Sequence, residues 1–180
     1  MVVDMPHNTY RDPKEALINA KKIISKTKCD AVKLEGGQKI YKIVKNLIKH
    51  NIPVMGHLGL LPQSEKTFKF KGQKKSERDK ILQDAKLLQD AGVFSIVLEC
   101  VETSLAKLIT KEIKIPTIGI GASNNCDGQI LVLDDLIGLN NINVRFVKKY
   151  SNVRREISKA VASYANDVRK KKFPLKKHSY

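Results

Sequence analysis

Ala31-Val32-Lys33-Leu34-Glu35-Gly36-Gly37 is a short apolar run closed by charge and broken by two glycines. On a strand, side chains two apart share a face. Lys33 and Glu35 therefore point together with Ala31, while Val32 and Leu34 point the other way. The design recurs along the chain. Asp4 follows Met1-Val2-Val3, His57 ends Ile52-Pro53-Val54-Met55-Gly56, and Glu99 ends Ser95-Ile96-Val97-Leu98. A charge closing an apolar strand is costly to bury unless it is paired or used. Where such charges recur at successive strands, with helices between, they converge at one end of a parallel sheet. In α/β proteins that end is where ligands bind.

The intervening segments have helical signals. Asp12-Pro13-Lys14-Glu15 has the spacing of a capping box with proline in the first turn. Ala16, Leu17, Ala20, Ile23 and Ile24 follow at helical period. A helix from about Lys39 to His50 places Ile40, Val44, Leu47 and Ile48 on one face. Gly59 to Lys75 reads as a loop. Ser76 and Asp79 open a helix with Ile81, Leu82, Ala85, Leu88 and Ala91 inward and Gly92 at its C-terminal cap. The strand Phe94 to Glu99 and a helix over Ser104 to Ile113 come next. Pro116 introduces the strand Thr117 to Gly121, and Gln129 to Leu133 reads as the last strand. Val153, Ile157, Val161, Tyr164 and Val168 predict one closing helix before a basic tail. Six short strands alternating with helices make an α/β fold with a parallel, helix-covered sheet. No linker or change of composition divides the 180 residues, so a single domain is expected.

Hydrophobic residues make up 42% of the chain, enough for a folded core. No apolar run approaches the roughly 20 residues that span a bilayer, and the start lacks the pattern of a signal peptide. Cys29, Cys100 and Cys126 are scattered, without zinc-site or disulfide spacing, which suits a reducing, cytoplasmic setting. The net charge of +16 suggests either nucleic-acid contact or lysine-rich solvated helix faces. Most lysines fall on polar helix sides, in the loop Lys66 to Lys80 or in the tail Arg169 to Lys177. No nucleic-acid motif accompanies them, so solvated faces and no nucleic-acid partner are expected.

Each candidate site residue has a chemical reading and a plainer one. Asp4 and Glu35 are hard oxygen ligands of the kind Mg²⁺ takes; Asp4 also reads as an N-terminal loop acid. Lys33 and Glu35 also read as an ion pair that satisfies itself. Glu99, closing an apolar strand, gains a raised pKa from desolvation, as a general base needs; otherwise it is a buried, paired glutamate. His57 in Gly56-His57-Leu58-Gly59 is placed to donate a hydrogen bond to a substrate oxygen, or is structural. Gly119-Ile120-Gly121-Ala122 looks like an anion loop but lacks the further glycine or Gly-Lys-Ser/Thr of the known fingerprints. It reads equally as a close backbone approach at a barrel rim.

The chain closely resembles the ketopantoate (3-methyl-2-oxobutanoate) hydroxymethyltransferase family. The resemblance rests on Asp4-Met5-Pro6, Val32 to Gly37, Gly56 to Leu60 with Pro62-Gln63-Ser64, and Val97 to Val101. It continues through Ile115-Pro116, Gly119 to Ala122, Asp127 to Val132 and the ending at His178-Ser179. It implies a (β/α)₈ TIM barrel of the phosphoenolpyruvate/pyruvate-binding type. It implies transfer of a hydroxymethyl group from 5,10-methylenetetrahydrofolate to 3-methyl-2-oxobutanoate in pantothenate synthesis. By resemblance Asp4 and Glu35 match Mg²⁺ ligands, Asp4 and Lys33 match contacts to the 2-oxo acid, and Glu99 matches the proton acceptor. His57 matches an active-site histidine. The resemblance also implies a ring-based homo-oligomer, often a decamer, with no membrane partner.

One departure stands at the front. Family members carry further β/α units before the Asp-x-Pro segment, including an Asp-Ser pair that supplies another metal ligand and a substrate contact. Nothing here matches that pair. The loop after Ser64 is also shorter and more basic than in many relatives. The expectation is a barrel truncated to about six strands, read as a start assigned too late at Met1. The alternative is a non-catalytic remnant that binds ligand or partner subunits.

Overall fold

Alternating apolar and charged residues make strands only if both faces find partners, and here they do. The computed structural model of the chain describes residues 1–65 and 69–180. Its strands are β1 (Val2–Asp4), β2 (Ala31–Glu35), β3 (Val54–Gly59), β4 (Ser95–Glu99), β5 (Thr117–Ile120) and β6 (Gly128–Gln129). They form one six-stranded sheet in the order β1-β2-β3-β4-β5-β6. Every pairing is parallel. A doubly wound sheet reverses its strand order at a switch point; this one advances by one neighbour each time. With right-handed crossovers, that order keeps the helices on one side, as in the wall of a (β/α)₈ barrel. The fold is therefore six consecutive strands of a TIM-type barrel, as expected.

The crossover helices are α1 (Pro13–Thr27), α2 (Tyr41–Lys49), α3 (Lys75–Ala91) and α4 (Thr103–Glu112). Asp12 caps α1 by accepting from the N–H groups of Lys14 at 2.8 Å and Glu15 at 2.9 Å. The expected capping box does not close on Asp12. The Glu15 carboxylate instead takes the Arg11 peptide N–H at 3.0 Å and the Arg11 guanidinium at 2.7 Å. A short 3₁₀ turn (Gln38–Ile40) leads into α2. α3 starts at Lys75 without a side-chain cap, so Ser76 does not serve as one; Gly92 ends the helix in the left-handed conformation at φ +99°. α4 is capped by Glu102, which accepts from Ser104 and Leu105 N–H, both at 2.9 Å.

The core lies between sheet and helices. Val32, Leu34, Val54, Leu58, Ile96 and Leu98 face Ala16, Ala20, Val44, Leu47, Ala85, Leu88 and Ile109 in one buried cluster. The segment expected as a strand over Gln129 to Leu133 pairs only at Gly128–Gln129. Ile130, Val132 and Leu133 are exposed. Among the described residues no apolar surface covers them; the strand ends there, and Leu133–Leu136 forms the single turn α5. At Gly119 the plainer reading of the glycine pair fits. An added Cβ would meet the Gln129 amide at 2.9 Å and Cys126 Sγ at 3.2 Å, so the glycine permits close packing.

The chain divides into two compact units, Met1–Ile130 and Leu131–Tyr180. The first contains the sheet. The second holds α5 and α6 (Val153–Arg169), and α6 has no buried residue. Its expected stripe exists: Ile157, Val161, Tyr164 and Val168 are all exposed. Tyr164 stacks edge-on against Phe173 with centroids 5.5 Å apart. Residues 66–68, part of the expected basic loop, lie outside those described.

Candidate active site at the carboxyl ends of the strands

Register brings the charged residues together. Asp4 stands beside Lys33, Glu35 beside His57, and Gly59 beside Glu99. Being two residues apart on their strands, Lys33 and Glu35 share the face away from the helices. Gly59 makes the last step possible. It adopts φ +95°, and a Cβ there would lie 2.1 Å from the Glu99 carbonyl oxygen. The neighbouring Leu60 N–H donates to that oxygen at 2.8 Å, which pins the backbone of Glu99. Cys100, just beyond, sits at φ +50°.

Lys33 is the hub. Its Nζ lies 3.0 Å from Asp4 Oδ2 and 3.2 Å from His57 Nδ1. An ammonium only donates, so Nδ1 of His57 must accept. The ring's single proton then sits on Nε2, which faces the Leu60 carbonyl at 2.9 Å and Glu99 Oε2 at 3.4 Å. Burial, with the Lys33 charge adding to it, pushes the His57 pKa down to about 4. The approach of His57 to Glu99 is therefore not an ion pair near neutral pH. Sequence reasoning expected His57 to donate to a substrate oxygen. In the structure both ring nitrogens already face protein groups, because Leu60 supplies an acceptor that no residue pattern announces.

Glu99 is the perturbed acid. Burial raises its pKa to about 7, the Lys33 charge pulling it down and the Glu35 charge pushing it up. Glu35 is raised too, mainly by burial; the Gln63 N–H and Lys33 lower it, and Asp4 raises it. That N–H donates to Glu35 Oε2 at 3.2 Å. The Lys33–Glu35 ion pair expected as the plain reading does not form: Lys33 turns to Asp4 instead. Asp4 is the least enclosed member, its side chain 53% exposed.

A cleft of about 500 Å³ opens beside the cluster, lined by Tyr10, Glu35, Gly37, Lys39, Leu61 and Lys80 among others. It reaches Glu35 but not Lys33, His57 or Glu99. Gly37 shapes its floor: a Cβ there would fall 2.0 Å from Asp84 Cγ. The Asp84 carboxylate, packed against that glycine, accepts the Gln38 N–H at 2.8 Å.

Comparison of the sequence with known proteins gives the family. The sequence signature described as ketopantoate hydroxymethyltransferase matches residues 1–176. The chain belongs to the ketopantoate hydroxymethyltransferase family. A 3-methyl-2-oxobutanoate hydroxymethyltransferase from Pelagibacter ubique (strain HTCC1062) is 70% identical over 180 residues, covering 100% of this chain and 70% of the relative. One from Pyrobaculum neutrophilum is 50% identical over 182 residues, covering 99% of this chain and 69% of the relative. Among solved structures, a putative phosphonomutase from Burkholderia cenocepacia J2315 aligns with TM-score 0.45 and 12% identity, over 66% of this chain and 52% of that one. Dihydrodipicolinate synthase from Agrobacterium tumefaciens str. C58 aligns with TM-score 0.46 and 13% identity, over 77% of this chain and 50% of that one. Those two likenesses are too distant to bear on the chemistry.

For this family member the donor set can be tested against a divalent cation. Among the described residues no group of three or more His, Cys, Asp or Glu side chains is arranged to hold a metal. Two carboxylates, Asp4 and Glu35, end the neighbouring strands β1 and β2. Gln63, whose backbone N–H meets Glu35, has its side-chain oxygen Oε1 buried without a partner among the described residues. Hard oxygen donors, one or two of them carboxylates, with the remaining positions left to water and substrate, suit Mg²⁺. In donor type these residues fit the ion.

Sequence reasoning brought Asp4, Lys33, Glu35, His57 and Glu99 to one place. It missed the Gln63 N–H and the Leu60 carbonyl, because every residue has such groups and only the fold selects them. It also missed Tyr10, a cleft residue whose hydroxyl pKa is raised chiefly by burial. An isolated tyrosine in a polar loop carries no distinguishing pattern.

Proposed function

We propose that the chain binds 3-methyl-2-oxobutanoate at Asp4 and Lys33 and enolises it with Glu99. The enolate then takes a hydroxymethyl group from 5,10-methylenetetrahydrofolate to give ketopantoate, in pantothenate biosynthesis. The observation that carries this reading is Glu99: buried, with no lysine or arginine in ion-pair reach among the described residues, and with a pKa near 7. A carboxylate so placed is half ionised near neutral pH and basic enough to take a carbon-bound proton.

Lys33 presents its ammonium to the 2-oxo acid and offsets the negative charge that develops as the C3 proton leaves. Glu99 accepts that proton. Water opens the methylene bridge, breaking both of its C–N bonds to release tetrahydrofolate and a one-carbon unit at the formaldehyde level. C3 of the enolate bonds to that carbon, and its oxygen takes a proton to become the hydroxyl. Asp4 and Glu35 would hold Mg²⁺, which would supply Lewis-acid polarisation of the 2-oxo group and so greater acidity at C3–H. The cleft beside Glu35 suits the folate. Its lining sets Lys39 and Lys80 among the acidic Glu65, Glu77 and Asp84, and the two ammonium groups are partners for the carboxylates of the co-substrate. The apolar helix side of the sheet keeps bulk water from the cluster's rear. Assembly as a homo-oligomer belongs to the same reading.

The test is proton exchange at C3. The protein with Mg²⁺ and 3-methyl-2-oxobutanoate in D₂O is expected to replace the C3 proton by deuterium without folate, followed by NMR. No exchange above the Mg²⁺ background overturns the assignment. A second reading, a ligand-binding chain without turnover, is favoured by the half-exposed side chain of Asp4 on the outermost strand. It predicts keto-acid binding by calorimetry with no exchange.

A further inference from the structure

The reading above gives His57 no chemical step, yet its side chain stands between the two residues that have one. It is 1% exposed, on β3 between β2 and β4. Every polar position on the ring is assigned: Nδ1 to Lys33, Nε2 to the Leu60 carbonyl, with Glu99 Oε2 next nearest. A tautomer is set by what surrounds it. Here an obligate donor on one side and a carbonyl acceptor on the other leave only the Nε2–H form.

This matters for Lys33. Its ammonium has three donors on a flexible stem. Asp4 takes one and His57 takes another, so the third is aimed by the first two. Without the imidazole the ammonium is free to swing about its contact with Asp4, whose own side chain is half exposed. It matters for Glu99 as well. A neutral ring 3.4 Å away leaves the carboxylate without a counter-ion. A cation in the same place would pair with it and make it a weaker base. The Lys33 ammonium, an obligate donor against Nδ1, leaves no room for a proton there and so keeps the ring neutral.

We propose that His57 is a positioning residue: as the Nε2–H tautomer it aims the Lys33 ammonium at the 2-oxo acid and keeps Glu99 free of a counter-ion. The proposal rests on the roles given above to Lys33 and Glu99. Its effect runs through those two residues, and His57 itself touches no substrate.

Three variants separate the functions of the ring. His57→Asn places an amide oxygen near the position of Nδ1 and restores an acceptor for Lys33. His57→Gln reaches toward Leu60 but leaves Lys33 without an acceptor. His57→Leu fills the space and supplies neither group. Keto-acid affinity and the kcat and KM of C3 exchange are measured on each, per folded molecule. His57→Leu and His57→Gln are expected to weaken keto-acid affinity by about tenfold or more, the scale of a lost charged hydrogen bond, and His57→Asn is expected to recover a clear part of it. Equal affinity and kcat in all three and wild type would mean that the ring only packs, and the proposal falls. It falls too if His57→Asn is no better than His57→Leu. Nitrogen-15 NMR of the wild-type ring supplies an independent readout: the neutral Nε2–H pattern at pH 7 is expected, and either the Nδ1–H pattern or an imidazolium overturns the idea. If wild type shows no exchange, the proposed activity fails while this spectrum still decides the placement of His57.

Discussion

The two faces of the same three strands behave as different materials. Toward the helices, β2, β3 and β4 present Val32, Leu34, Leu58, Ile96 and Leu98, all buried in one apolar cluster. Away from them, a single residue along, the strands present Lys33, Glu35, His57 and Glu99. The first face is satisfied by area alone, which is favourable and non-directional. The second is satisfied only by geometry, and it shows the cost. Burial raises Glu99 and Glu35 and lowers His57, each shift favouring the uncharged form. The apolar face stabilises the fold; the polar face gives up stability to hold groups in reactive states. Alternation along a strand therefore makes stability and chemistry separable by mutation.

The sharpest separation is Glu99→Gln. It is expected to lower C3 exchange by about 10²–10⁴-fold, the usual contribution of a general base, with an unchanged or higher melting temperature. A large loss of stability in this variant would show that the polar face is structural after all. Leu98→Ala, next door on the other face, should do the reverse. It is expected to cost about 2–5 kcal/mol of stability in denaturant titration, while exchange per folded molecule stays near wild type.

Acidity tests the polar face more finely. Exchange needs ionised Glu99, so the rate should rise with pH through about 7 and level off above it. For stability the signs oppose. Glu99 binds its proton more tightly folded than unfolded, so its contribution falls as pH rises from its ordinary value of 4.5 to about 7. His57 binds its proton less tightly folded, so its contribution rises as pH climbs from about 4 to 6.5. In wild type the two largely offset each other across the shared window. Glu99→Gln should unmask the His57 effect and lose stability more steeply than wild type on acidification from pH 6.5, followed by melting temperature. An identical pH dependence in both proteins would show that the two shifts do not act on folding. The smallest effect belongs to the rim of the apolar layer. Asp12→Ala removes the cap of α1 and is expected to cost about 1 kcal/mol, with exchange unaffected.

Much of this was legible because period and punctuation are local. The five charged residues sit where a two-residue period and a following break put them. Asp12 and Gly92 cap helices because capping is decided by the nearest few peptide groups. Failures came where residue type does not say which of several available partners a group will take. Glu15 had two N–H groups in reach and took the one whose residue also brings a guanidinium. Ile130 to Leu133 had strand-like residues but no surface to pair with. His57 had a visible side chain, but its acceptor is a main-chain carbonyl that every residue possesses.

By itself the sequence determined the element order and the parallel α/β class, since these follow from residue type and spacing, while its motifs carried the family resemblance and the candidate side chains. Only the tertiary structure decided what those side chains face. Lys33 turned to Asp4 and His57 rather than to Glu35, and Glu99 was left without a cation. Hydrogen bonds and desolvation are set over a few ångströms, between strands that are tens of residues apart along the chain.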